Sequence, residues 1–231
     1  MDKIETALIV GAGDGISGCF ARRLAERGIR LALAGRSAQK HAAVAKATDA
    51  ISVTCDAADP ESVNAMFRRL DDDLGTPDLV LYNPSYRTRG PLAELNPDEV
   101  LRTLMTTCYG GFLVGQAAVQ RMQPRGHGKI FFTGASASVK GYPLSAPFAM
   151  GKFGLRGLAQ SMARELGPQG IHVAHFIIDG GVRSAARPDP ADNPDSFLDP
   201  DAIAGTYLAV MDQPRSAWSQ EVELRPWVER F

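Results

Sequence analysis

Thr6-Ala7-Leu8-Ile9-Val10-Gly11-Ala12-Gly13-Asp14-Gly15-Ile16-Ser17-Gly18 is the stretch that decides the fold. The run from Thr6 to Val10 is short and apolar and ends in a glycine cluster, which predicts a buried strand. Ile16 to Arg27 predicts a helix that Gly28 stops. Glycine at such a strand-to-helix turn lets the backbone bend sharply and approach a pyrophosphate. The first N–H groups of the helix and the positive end of its dipole then face the anion. Two registers fit: Gly13, Gly15 and Gly18 satisfy G-x-G-x-x-G, while Gly11 and Gly15 satisfy G-x-x-x-G-x-G with Ser17 in the last glycine place. Its position after a first strand makes the loop, Gly11, Gly13, Asp14, Gly15 and Ile16 included, a candidate dinucleotide cradle; a plain structural turn is the alternative.

Outward from this loop the chain alternates. Strands are predicted at Arg30–Ala34, Ile51–Cys55, Asp78–Tyr82, Lys129–Thr133, Ile171–Ile177 and Gln220–Leu224. Helices are predicted at Ala38–Ala47, from the Asp59 cap to about Asp73, and from Asn96 onward. In that last helix Val100, Leu104, Thr107, Gly111, Val114 and Ala118 share a face. Phe148, Lys152, Leu155, Leu158, Met162 and Leu166 mark one more. The alternation implies an α/β fold: a single doubly wound domain over residues 1–231, with a seven-stranded parallel sheet and helices on both faces. Residues 185–201 break the rhythm, with Pro188, Pro190, Pro194 and Pro200 among Asp189, Asp192, Asp195, Asp199 and Asp201. They follow the carboxyl end of a strand, where open sheets bind ligands, so the stretch reads as a substrate lid or a solvated connector.

Composition narrows the class. Lys plus Arg is 25 and Asp plus Glu is 26, a net charge of -1 that argues against a nucleic-acid or membrane-surface partner. No apolar run reaches membrane-spanning length. Met1-Asp2-Lys3-Ile4-Glu5 carries both signs of charge, unlike a signal peptide. Cys19, Cys55 and Cys108 suit neither a disulfide framework nor a metal site. A cytoplasmic protein with a small-molecule substrate is expected.

The second strand ends Leu33-Ala34-Gly35-Arg36-Ser37. A site for NAD places an acidic residue here for the ribose 2′-hydroxyl, and none is present. The Arg36 fork suits a 2′-phosphate, so the expected cofactor is NADP, with NADPH preferred over NADH. A surface arginine that starts a helix is the bland alternative.

With these residues in place the chain resembles the short-chain dehydrogenase/reductase family over nearly its whole length, and so a Rossmann-type fold. The likeness rests on the Gly11–Gly15 loop, Cys55-Asp56 after the third strand, and Tyr82-Asn83-Pro84-Ser85 in place of Asn-Asn-Ala-Gly. It continues through Gly110-Gly111-Phe112-Leu113, the Lys152 helix and Asp179-Gly180, where the family has Pro-Gly. The resemblance implies that Asp56 contacts adenine, Asn83 braces the middle of the sheet, Lys152 holds the nicotinamide ribose, and Gly180 and Ser184 lie near the carboxamide. It also implies homodimers or homotetramers paired through the two long helices and the tail at Trp227.

The catalytic positions depart from that family. Its Tyr-x-x-x-Lys signature reads Phe148-Ala149-Met150-Gly151-Lys152, and a phenyl ring has no proton to give. The family's serine falls on Ala135 and its asparagine on Thr107. Ser136, Ser138 and Tyr142 lie close enough in sequence to replace the lost hydroxyls, and Lys152 itself or water is a further proton source. Ser136, Tyr142 and Lys152 are the catalytic candidates. Two functions fit: an NADP-dependent oxidoreductase for a small carbonyl, alcohol or related substrate with an atypical site, or an NADP(H)-binding homologue without catalysis, acting as a sensor or partner subunit. Arg87 and Arg89, after the fourth strand, are compatible with an anionic substrate, and surface arginines explain them equally well.

Overall fold

The computed structural model describes residues 3–229, so Met1 and Asp2 of the amino terminus lie outside the described residues. All seven predicted strands are present: β1 (Thr6–Val10), β2 (Arg30–Gly35), β3 (Ile51–Thr54), β4 (Leu79–Tyr82), β5 (Gly128–Thr133), β6 (Ile171–Ile178) and β7 (Glu221–Leu224). They form one parallel sheet in the order β3-β2-β1-β4-β5-β6-β7. The order reverses between β1 and β4, where the connections leave the carboxyl edge in opposite directions and a crevice forms. Register sets the crevice wall. Val10 pairs with both Ala34 and Tyr82, and Tyr82 pairs with Phe132, so Gly11, Gly35, Asn83 and Thr133 emerge along one rim.

Helices cover both faces: α1 (Ile16–Glu26), α2 (Ala42–Thr48), α3 (Pro60–Asp73), α4 (Pro97–Leu104), α5 (Gly110–Met122), α6 (Ala146–Leu166) and α7 (Pro200–Met211). One core joins Tyr82, Phe132, Phe67, Val114 and Leu155 under α3, α5 and α6. The other joins Phe20, Phe131, Phe176 and Tyr207 under α1, α2 and α7.

Three local departures from the sequence reading have identifiable causes. The helix expected over Ala38–Ala47 is a 3₁₀ turn, Ala38–Lys40, then α2, with His41 between them at φ -124. The buried His41 side chain turns inward, its Nε2 2.9 Å from Ser52 Oγ, and that anchor interrupts the helix. The helix from Asn96 passes through a π-helical stretch, Met105–Tyr109, before α5. There the Tyr82 hydroxyl donates to the Thr106 carbonyl at 2.5 Å, taking an acceptor that a regular helix would fill internally. Finally, the segment 185–201 stops short of its expected end, because Asp199 caps α7 and Pro200 opens it. Two of its aspartates close on Arg183, at 3.0 Å for Asp189 and 2.5 Å for Asp199.

Candidate active site

The glycine loop leaves a helix end bare. The amino terminus of α1 has neither a side-chain cap at Gly15 nor an acidic residue in its first turn. Its first N–H groups are therefore open to an external acceptor. A Cβ built on Gly13 or Gly15 meets nothing within 4 Å, so the space before the helix is free. Gly11 is glycine for a different reason: its φ is +79, and a Cβ would lie 2.6 Å from Pro84 N. The loop is braced from below, with Ser17 Oγ accepting from Gly13 N at 3.0 Å and Asn83 Nδ2 donating to Gly11 O at 3.1 Å. The loop geometry thus fits a pyrophosphate.

Two clefts flank the loop, each enclosing about 320 Å³ and sharing Asn83 and Ser85. The first runs from Gly11 to Asp56 and carries Arg36, Ser37 and Lys40 at the end of β2. Arg36 and Asp56 therefore face one cleft, as expected of groups that would hold the adenosine half of a dinucleotide. Ser37 and Lys40 were missed in the sequence. The Arg36-to-Lys40 spacing was a legible signal, since a turn of 3₁₀ helix returns Lys40 to the cleft.

The second cleft is lined by Ile16, Ser136, Tyr142, Phe148, Lys152 and Gly180, among others. All three catalytic candidates therefore face it. Ser184 lines neither cleft; its backbone pairs with Arg187 in a tight turn. Lys152 is 2% exposed and donates to the Thr133 carbonyl at 2.7 Å. Burial pulls its ammonium down to about 8. Nζ lies 5.8 Å from the centre of the Phe148 ring. Arg87, which the sequence placed only near the mouth, lies over the same ring at 5.2 Å and donates to Ser145 Oγ at 3.2 Å.

The two serines of the loop after β5 separate in role. Ser138 is fully buried, its Oγ 3.2 Å from Ala135 N and 3.3 Å from His175 Nε2. Ser136 lines the cleft beside the buried Asp179. Burial alone would push the Asp179 carboxyl up, but the Ser136 hydroxyl, Lys140 (3.0 Å) and Arg225 outweigh it and hold it below the usual range. His172 and His175 are packed residues. Burial lowers each to about 4, against the pull of the Ser219 carbonyl in one case and Glu221 in the other.

The sheet order and the crevice at its reversal define a Rossmann-type α/β protein. The sequence model of the short chain dehydrogenase family matches residues 5–191, and the chain belongs to that family. A short-chain dehydrogenase/reductase of Armillaria gallica is 30% identical over 219 residues, 90% of this chain and 79% of that protein. Trans-4-hydroxycyclohexanecarboxylate dehydrogenase of Sinomonas cyclohexanicum is 31% identical over 191 residues, covering 78% and 73%. A solved short-chain dehydrogenase from Rhodopseudomonas palustris has a TM-score of 0.82 at 34% identity, covering 96% of this chain and 98% of that one.

Proposed function

We propose that this chain is an NADP-dependent oxidoreductase acting on a small carbonyl or alcohol. The observation that carries the reading is the pair of clefts around one uncapped helix end, with Arg36, Ser37 and Lys40 at the outer extreme and Lys152 buried at the inner. Two cations, Arg36 and Lys40, where an acidic residue would stand favour a 2′-phosphate over a bare ribose hydroxyl. When bound, the nicotinamide nucleotide supplies or accepts the hydride. In this reading Lys152 holds the nicotinamide ribose, Asp56 meets the adenine, and Gly180 lets the chain pass close to the ring. Gly180 has φ +149 and packs on Pro226, which leaves no space for a side chain. Lys152 also holds a proton whose release falls near neutrality, and Ser136 and Tyr142 bring hydroxyls to the same cleft.

The test is a fluorescence titration of NADPH and NADH against wild type and Arg36→Asp. NADPH should bind more tightly to the wild type, and the preference should invert in the variant. Equal affinity of the wild type for both would end the NADP assignment.

One observation favours a second reading, a nucleotide-binding homologue without catalysis. Phe148 and Ala135 line the cleft where the family places two hydroxyls. Losing a general acid costs about a hundred- to ten-thousandfold in rate. The readings part on turnover: NADPH that binds but is never consumed over a panel of aldehydes, ketones and alkenes supports the second.

A further inference from the structure

The second cleft holds a cation that the reading above does not use. Arg87 follows β4 and lies 5.2 Å over the Phe148 ring, fixed by its bond to Ser145, itself 1% exposed. Several arginines elsewhere on the chain close on carboxylates, while others, such as Arg30 and Arg164, reach only backbone carbonyls. Arg121 grips Asp71 through two N–H groups at 2.8 and 2.7 Å, and Arg156 grips Glu221 at 2.6 and 2.7 Å. Arg87 pairs with no carboxylate among the described residues; it has a ring face and a hydroxyl instead. A guanidinium offers five N–H donors in a planar fork, and Ser145 takes one of them. The rest of the fork is available to the cleft. Among the residues lining that cleft none is acidic, and Lys152 adds a second cation. Such a wall attracts an anion and repels a cation. Arg89, two residues on, lines neither cleft.

We infer that Arg87 is a substrate-recognition residue that takes the carboxylate of a small oxo- or hydroxy-acid. The inference rests on the oxidoreductase reading for the reacting carbon, and on Arg87 alone for the charged end. Carboxylate geometry matches the fork in a bidentate pair. It also gives the Phe148 ring a use: a flat platform that holds the guanidinium level while Ser145 fixes its rotation.

The experiment uses benzoate and its uncharged analogue benzamide as probes, titrated calorimetrically into the full chain with and without saturating NADPH. Wild type should prefer benzoate by about ten- to a hundredfold, the range that a charge-assisted hydrogen bond spans. Arg87→Gln, which keeps a donor for Ser145 and removes the charge, should erase that preference, while Arg89→Gln should keep it. Equal binding of the two probes to wild type would overturn the inference, as would a benzoate preference that survives Arg87→Gln. With NADPH filling the dinucleotide cleft, inorganic phosphate binding as tightly as benzoate, and weakened equally by Arg87→Gln, would overturn the carboxylate assignment. Failure of NADPH to bind would count against the oxidoreductase reading, while the titrations on the free chain would still decide the role of Arg87.

Discussion

The Lys152 ammonium lies 5.8 Å from the centre of the Phe148 ring and donates a hydrogen bond to the Thr133 carbonyl at 2.7 Å. A lysine one helical turn from an aromatic ring is therefore present, and what is absent is the ring's hydroxyl. Phe148→Tyr adds that one atom to a half-buried side chain that already lines the cleft. Together with Ala135→Ser it should create or raise NADPH-dependent reduction of small ketones, followed as loss of NADPH absorbance. The expected gain is about a hundred- to ten-thousandfold, the usual worth of a general acid. If wild type already turns over a substrate and Phe148→Tyr abolishes that activity, Phe148 is a wall for specificity and the proton comes from elsewhere.

The same lysine carries a pH signature. Burial moves it from 10.5 to about 8, so the native state disfavours the charged form. Between those values the unfolded chain holds a proton that the folded chain has released. Stability contributed by this group must then rise with pH across that window, and below about 8 the buried charge exerts its full cost. Lys152→Met removes the titration, and the Thr133 carbonyl it leaves unpaired is a constant offset. Urea midpoints of the two proteins, taken across the window, should show wild type gaining on the variant as pH rises. A difference that stays flat would mean that the lysine titrates at its ordinary value.

The sheet was legible because most strands are short apolar runs closed by turn residues while β3 and β7 alternate, and both patterns are local properties. The glycine loop was legible for the same reason, and Arg36 and Asp56 follow directly at the ends of their strands. The inner cleft was only partly legible. Ser136 and Ser138 are two residues apart in one loop, and nothing in the sequence says which hydroxyl reaches the cleft. That is decided by His175 on β6, which captures Ser138. Arg87 and Phe148 are sixty-one positions apart, and their stacking arises only from the packing of the loop after β4 against the start of α6. The π-helical stretch was invisible because its cause is Tyr82, a residue of another element.

Assembly has its own test. Phe112, Met150 and Phe153 expose apolar surface on α5 and α6, at 40%, 53% and 44%, and Leu101 on α4 does so at 57%. Tyr109 and Phe112 stack with ring centres 6.1 Å apart. If these helices meet other copies of the chain, wild type should elute as a dimer or tetramer by light scattering at micromolar concentration. Phe112→Glu with Phe153→Glu buries charge at that contact and should give a monomer. A wild-type monomer at that concentration would reject assembly through these helices.

Packing of the start of α5 against β4 makes a last prediction, on stability alone. A Cβ added at Gly110 would lie 2.4 Å from the Tyr82 hydroxyl and 2.6 Å from the Ala57 carbonyl oxygen. Neither neighbour can yield, since Tyr82 is fully buried and bonded to Thr106, and the other atom is backbone. Gly110→Ala gains up to about 1 kcal/mol in helix propensity. It loses about 1–3 kcal/mol to overpacking and more if the Tyr82 bond breaks, leaving the Thr106 carbonyl unpaired. The variant should therefore unfold at a lower temperature than wild type. Gly157 in α6 is the control, because a Cβ there meets nothing within 4 Å. Gly157→Ala should raise the midpoint through propensity alone. Calorimetric scans that show both variants stabilised would mean that Tyr82 does not pack against this helix as described.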